Sequence, residues 1–266
     1  FFQWCMPFGK NDTLSDSLWD GLYDPVADLA MSGTAEKLAV QYEVNREDAD
    51  TFAAMSQARY AAANAAGIFD AEMAPVTISS RKGDTVVDAD EHPRAGSTVE
   101  KLAKLRPVFK KDGVITAGNA SGINDGAGAL ILTTAEQAAA KGWRPLARLV
   151  SWGISGCDPT IMGIGPVPAC RNALTMAGLE LDDMDLVEVN EAFAAQTIAV
   201  ERALGLSREK LNVNGGAVAI GHPLAASGAR ITAHIIHALR HRQEKLGLAS
   251  ACIGGGQGIS VIVEAL

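Results

Sequence analysis

The sequence predicts an α/β fold. Three observations carry that expectation. After residue 146, short apolar runs of strand length alternate with stretches of helical periodicity. Glycine-rich segments lie where those strands and helices meet. Hydrophobic residues make up 48% of the 266 positions and charged residues 20%, the balance of a globular chain long enough for a sizeable core.

The elements follow in order. Residues 34–42 and 48–64 read as helices; Asn45 stands ahead of the second as a cap and Gly67 closes it. Segments 76–78 and 85–87 are short and β-like, around the polar turn Lys82-Gly83-Asp84. Residues 116–128 are small and glycine-rich and lead into an apolar strand candidate, Ala129–Leu132, then an Ala-rich helix ending at Lys141. From 146 onward the pattern reads as a self-contained unit: strand 147–152, helix 168–178, strand 186–189, helix 192–204, short strand 211–213 and a helix from Ser227 to about Arg240. A closing strand pair, 249–253 and 259–264, completes it.

Composition narrows the function. The net charge is −8, which argues against a nucleic-acid binder. No apolar run reaches the length of a membrane span. The cysteines at 5, 157, 170 and 252 form no C-x-x-C pair, so reduced thiols are expected rather than a zinc site or a disulfide framework. His234, His237 and His241 fall off the stripe of Ile231, Ile235 and Leu239, which predicts a polar helix flank and no metal. The chain opens Phe1-Phe2-Gln3 with no initiator methionine, and reads as part of something longer or as a processed or misassigned start.

Three motifs could carry chemistry. His222 lies in the small-residue loop Gly221-His222-Pro223 just ahead of a helix, where free N–H groups favour a neutral imidazole. From composition alone, a merely packed histidine is an equal reading. Cys252 ends an apolar strand and is followed by Gly254-Gly255-Gly256; a thiol there can be a nucleophile or proton carrier, or simply a small core residue. Asn190-Glu191-Ala192-Phe193-Ala194 puts polar groups where a strand meets a helix, and Asn190 could be either a helix cap or a site residue.

Together these motifs resemble the thiolase family of acyl-CoA C-acyltransferases: the NEAFA block at 190–194, GHP with ASG at 221–228, C-x-GGG at 252–256, and TAGNASG-x-x-DG at 116–126. The resemblance implies a thiolase-like layered fold with a mixed β-sheet, incomplete at the N-terminal half. It divides the chain into a loop domain (1–115), the last piece of the N-terminal half (116–145) and the C-terminal half (146–266). It implies interconversion of 3-ketoacyl-CoA plus CoA with acyl-CoA plus acetyl-CoA, through an acyl-cysteine. His222 would act as activating base. Cys252 would exchange the α-proton. Asn190 with His222 would form one oxyanion site, and the Gly254 N–H would contribute to a second.

The same resemblance places coenzyme A, as substrate rather than resident cofactor, against Ser121, Arg94, Phe109 and Met162. It implies a homodimer or homotetramer in a bacterial cytoplasm, or alternatively a mitochondrial matrix. The nucleophilic cysteine of the family has no counterpart here. Cys5, beside Trp4 and Met6, is not a replacement, so this chain alone is expected to be inactive or strongly impaired, or to bind CoA or full-length subunits without catalysis. An exposed strand and apolar face are expected where the other half would pack. Ala225 stands where the family usually has glycine, which matters only if that position needs a positive φ.

Overall fold

The computed structural model describes residues 15–266. The readings made on Cys5 and on the opening residues lie outside that range.

The first part is helical. A short helix α1 (Ser17–Gly21) and the two-residue pair β1 (Tyr23–Asp24) and β2 (Leu29–Ala30) precede α2 (Met31–Gln41) and α3 (Arg46–Ala65). The Asn45 cap forms as expected. Its side chain accepts from the Asp48 N–H at 2.8 Å while Asp48 reaches back to the Asn45 N–H. Next comes an exposed hairpin of β3 (Val76–Ser80) and β4 (Gly83–Val87), then the short helices α4 (Val99–Leu102) and α5 (Ala135–Ala140).

The expected strand at 129–132 does not form. Those residues pair with nothing among the described residues, and Ile131 and Leu132 are exposed. A strand needs a partner for its backbone groups, and no sheet lies beside this one.

The second part is built on one mixed sheet. Its strands are β5 (Ala147–Gly156), β6 (Leu186–Val189), β7 (Leu246–Ile253) and β8 (Gln257–Ala265), in the order β5-β8-β7-β6. β6 and β7 are parallel, and the other pairs are antiparallel. The side chains alternate between two faces, as the period of two requires. Val187, Val189, Leu248 and Ile262 face α6 (Pro166–Ala177) and α7 (Ala194–Leu204). Leu186, Ala249 and Val263 face α9 (Ser227–Arg242), which follows the single-turn α8 (Ala217–Ile220). The segment 211–213 is reduced to one bridge, Leu211 to Val187.

The half beginning at 146 is not self-contained. Leu38 of α2 and Phe52 of α3 are fully buried in the same cluster as Ile198 and Leu248. At the other end of the sheet, α9 stops short of β5. Trp152, Ile154 and Ile259 continue the α9 side of the sheet uncovered, with Ile154 63% exposed. This is the expected apolar face.

Candidate active site

The site lies at the carboxyl ends of β6 and β7, where ligands of open α/β sheets bind. Val189 pairs with Ser250, and the Asn190 N–H donates to the Ser250 carbonyl at 2.9 Å. Asn190 is thus one residue past the last pair and Cys252 two. A strand spacing of about 4.8 Å and a rise of about 3.3 Å set their Cα atoms roughly 6 Å apart. Asn190 is not a helix cap, because α7 starts only at Ala194, with Phe193 at the cap position. Its side chain is buried for another purpose.

That purpose is His222. Asn190 Nδ2 lies 3.3 Å from His222 Nε2, and Asn190 Oδ1 is buried with no partner among the described residues. On the other side of the ring, Ser227 Oγ lies 2.6 Å from Nδ1 and 3.1 Å from the Pro223 carbonyl. The serine has one proton. Given to Pro223, it leaves Ser227 an acceptor for Nδ1–H, so Nε2 carries the free lone pair toward Asn190. Burial, then the nearby Arg230 guanidinium, pushes the imidazole down to about 4. Burial and Arg230, rather than the helix-end N–H groups considered from sequence, favour the neutral imidazole. The backbone of His222 is fixed from outside the loop: its N–H donates to the Gly122 carbonyl at 3.0 Å.

Cys252 ends β7 as a half-buried thiol. Burial pushes it up to about 12, with the Cys157 thiol adding to the effect, so it is held protonated. After Cys252 the chain turns through Gly254-Gly255-Gly256. Gly255 and Gly256 take φ of +82° and +75°, and the Gly255 N–H is tied to Asp24 at 2.9 Å. Among the described residues nothing accepts the Gly254 N–H, so it is free for an incoming oxygen.

The remaining sequence-predicted residues fall into two groups. Ser121 joins the site: it bridges to Ala192, its N–H and hydroxyl both reaching the Ala192 carbonyl, the latter at 2.9 Å. Met162 is buried in a 3₁₀ turn (Pro159–Ile164), and its carbonyl faces the Cys157 thiol, so it forms a wall behind the site. Arg94 and Phe109 lie outside. Arg94 is exposed, its guanidinium held by the Glu91 and Pro93 carbonyls at 3.0 and 3.3 Å. It stays close through two links: its N–H donates to Gln57, whose amide reaches Val218 O, and neighbouring His92 bonds the Ala219 carbonyl at 2.9 Å. Phe109 is half exposed, and nothing ties it to the other residues. Ala225 has no positive φ, so its Cβ is harmless.

Sequence reasoning missed the frame around the site. Glu191 is buried and accepts from Ser56 Oγ at 2.7 Å, Asn212 Nδ2 at 2.9 Å and the Val218 N–H at 3.1 Å. It thereby joins α3, the edge of β6 and the turn before His222. Asn212, at φ +45°, also bonds both the N–H and carbonyl of Val189 and so extends the β6 ladder with a side chain. Asn followed by a small-residue turn was the only signal in the sequence. His234 is a correction. It is 1% exposed and bonded to Glu72, so the histidine series is not a polar flank at that position; His237 is half-buried and His241 exposed.

A neutral imidazole base paired with a carboxamide, beside a thiol and a free backbone N–H at strand ends, defines a site suited to proton transfer and oxyanion binding. Comparison with known proteins fixes the family. The model described as thiolase, C-terminal domain, matches residues 143–265, and the one described as thiolase, N-terminal domain, matches 5–136. The chain belongs to the thiolase family. It is 57% identical over 256 residues to the mitochondrial 3-ketoacyl-CoA thiolase of Bos taurus, covering 96% of this chain and 64% of that protein. It is 51% identical over 256 residues to the acetyl-CoA acetyltransferase of Paracoccus denitrificans, covering 96% and 66%. The crystal structure of human mitochondrial 3-ketoacyl-CoA thiolase superposes with a TM-score of 0.93 at 55% identity, over 98% of this chain and 66% of that one. The chain therefore spans about 64% of the length of such curated relatives. Among the described residues, no helix is long and apolar enough to cross a membrane.

Proposed function

We propose that this chain carries the proton-transfer and oxyanion-binding part of an acyl-CoA C-acyltransferase that interconverts 3-ketoacyl-CoA plus CoA with acyl-CoA plus acetyl-CoA. The observation that carries the reading is the 3.3 Å pairing of Asn190 with the unprotonated Nε2 of His222, beside Cys252 and Gly254. His222 accepts the proton of an incoming thiol. Asn190, through its unpartnered buried Oδ1, holds a water that points a proton at a thioester oxygen. The Gly254 N–H serves the second oxyanion. A thiol held protonated suits the acid role: in the thiolytic direction Cys252 delivers its proton to the α-carbon of the acetyl-CoA enolate.

The acyl group itself rides on a cysteine that none of the four here supplies. Cys252 is the proton carrier, Cys170 is buried in the core, Cys157 is packed beside Met162, and Cys5 stands in the sequence between Trp4 and Met6 rather than among small residues. In the intact assembly, residues 1–115 serve as the loop domain, 116–145 as the end of the N-terminal half and 146–266 as the C-terminal half. The bare face at Trp152 and Ile154 is where the rest packs. CoA lies with its phosphates at Arg94 and its pantetheine arm toward Ser121 and Phe109; the serine, its proton already committed to Ala192, accepts from an amide N–H. A homodimer or homotetramer completes the reading. Relatives named as mitochondrial and relatives from bacteria support the matrix and the bacterial cytoplasm respectively. The span of 64% of its relatives favours a second reading for the isolated chain: CoA binding without turnover.

Calorimetric titration with CoA tests the site. Binding by the 266-residue chain, weakened at least tenfold by Arg94→Ala, supports the assignment. No binding, or binding unchanged in that variant, overturns the placement of CoA.

A further inference from the structure

A second buried polar cluster lies directly behind the Asn190–His222 pair. Glu188 is on β6, two residues before Asn190, and is 2% exposed, yet its Oε2 has no partner among the described residues. Across from it on α9 is His234, 1% exposed, with Nε2 4.0 Å from Glu188 Oε1. The other ring nitrogen is 2.6 Å from Glu72 Oε1, on the segment that follows α3, and Phe69 of that segment stacks on the ring at 5.1 Å. Asn214 Nδ2 lies 3.2 Å from Nε2. The other charges facing this interior are Arg230 of α9, Glu191 after β6 and Asp90 of the segment before α4. Carboxylates outnumber the one permanent cation.

An isolated ionised carboxylate in such a place is too costly to persist. Either Glu188 is protonated and His234 neutral, with Asn214 donating to Nε2 as placed, or the proton is on His234 and Asn214 turns its carbonyl to face it. Both states hold one proton between the two side chains, and they titrate as a pair. We infer that Glu188 and His234 are positioning residues that keep a buried proton in common, and that this proton fastens the segment carrying Glu72, Phe69 and Arg94 to the strand that presents Asn190. Burial pushes Glu188 up to about 7, and Glu72 and Glu188 hold His234 above the ordinary imidazole range, both in the direction of proton retention.

Above about pH 6.5 the folded chain holds more protons at this pair than the unfolded one, so its stability falls as pH rises. His222, whose folded value is depressed, opposes this only weakly just above pH 6.5, where the unfolded chain finishes releasing its proton. A merely structural histidine buried neutral would give no such fall.

The test is urea unfolding of the 266-residue chain at pH 6.5, 7.0 and 7.5, below the range where the raised thiols of Cys157, Cys170 and Cys252 add a fall of their own, with imidazole ¹⁵N NMR of His234. In the wild type the unfolding midpoint falls across the series, and the His234 ring titrates above an ordinary imidazole, as close carboxylates require. Glu188→Gln, which removes one of the two carboxylates and leaves Glu72 on the ring, makes the fall shallower. Glu72→Gln, less deeply placed, lowers the His234 midpoint. A wild-type midpoint independent of pH, or a His234 ring titrating near 6.5, overturns the inference without reference to any variant. The effect on the site rests on the acyl-CoA reading: CoA binding should weaken from pH 6.5 to 7.5 in the wild type and less so in Glu188→Gln. Loss of that arm alone, with the titrations as stated, counts against the acyl-CoA reading and leaves the shared proton standing.

Discussion

Gly216→Ala isolates the frame that holds His222. Gly216 lies immediately before α8 with φ −145°, so an alanine is unstrained there and only space decides. A Cβ at that position would stand 2.6 Å from Glu191 Oε1 and 2.7 Å from Oε2, where ordinary contact begins near 3.4 Å. The carboxylate must therefore retreat by about 0.8 Å or the α8 turn must shift. Glu191 cannot retreat cheaply, being held by Ser56, Asn212 and the Val218 N–H, while the Gly216 N–H itself donates to Ser56 at 3.0 Å. Overpacking of this kind costs about 1–3 kcal/mol, and one hydrogen bond lost from a buried charged group adds about 1.5–3 kcal/mol. The sum is roughly 2.5–6 kcal/mol, a large part of the stability of a typical domain. Gly178→Ala is the control. It has φ +65° and nothing within 4 Å of a Cβ, so it should cost about 1 kcal/mol from backbone conformation alone. Urea unfolding at fixed pH compares the two. A Gly216→Ala loss no larger than that of Gly178→Ala would refute the claim that Glu191 is rigidly pinned.

Three further outcomes follow from the geometry. The His222 imidazole should titrate near 4 by NMR. Since the unfolded chain protonates it near 6.5, stability gained between pH 4 and 6.5 should exceed that of His222→Gln by up to about 3 kcal/mol, and equal gains would contradict the buried neutral ring. The Cys252 thiol, held near 12, should react with iodoacetamide far more slowly at pH 8 than a free cysteine does, as mapped by peptide mass; rapid labelling would mean an exposed, ordinary thiol. Light scattering should find the isolated chain self-associated through its bare sheet face, and replacing Trp152 and Ile154 by polar residues should reduce this; a stable wild-type monomer would count against that face as a docking surface.

The parts of the fold that were legible in the sequence are those with local causes. The capped start of α3, the four residues of β6 and the β7–β8 hairpin follow from cap chemistry and apolar periodicity. The strand expected at 129–132 had the right composition, but a strand is stabilised by its neighbour, and none lies beside it. The site was legible as motifs. Its frame was not, because Glu191 finds Ser56 across 135 residues and His234 finds Glu72 across 162, and no spacing rule links them. His234 misled for the same reason. Off the apolar stripe of α9, it is buried by a segment that arrives from the first half of the chain.

The most direct test of the central claim is thiolysis of acetoacetyl-CoA by the purified 266-residue chain, run beside Cys252→Ser. The account predicts no turnover by the wild-type chain under conditions where it binds CoA, because the proposed acyl carrier is a cysteine other than these four. Turnover by the wild type that disappears in Cys252→Ser would contradict it, showing that Cys252 carries the acyl group or that the reaction needs no other half.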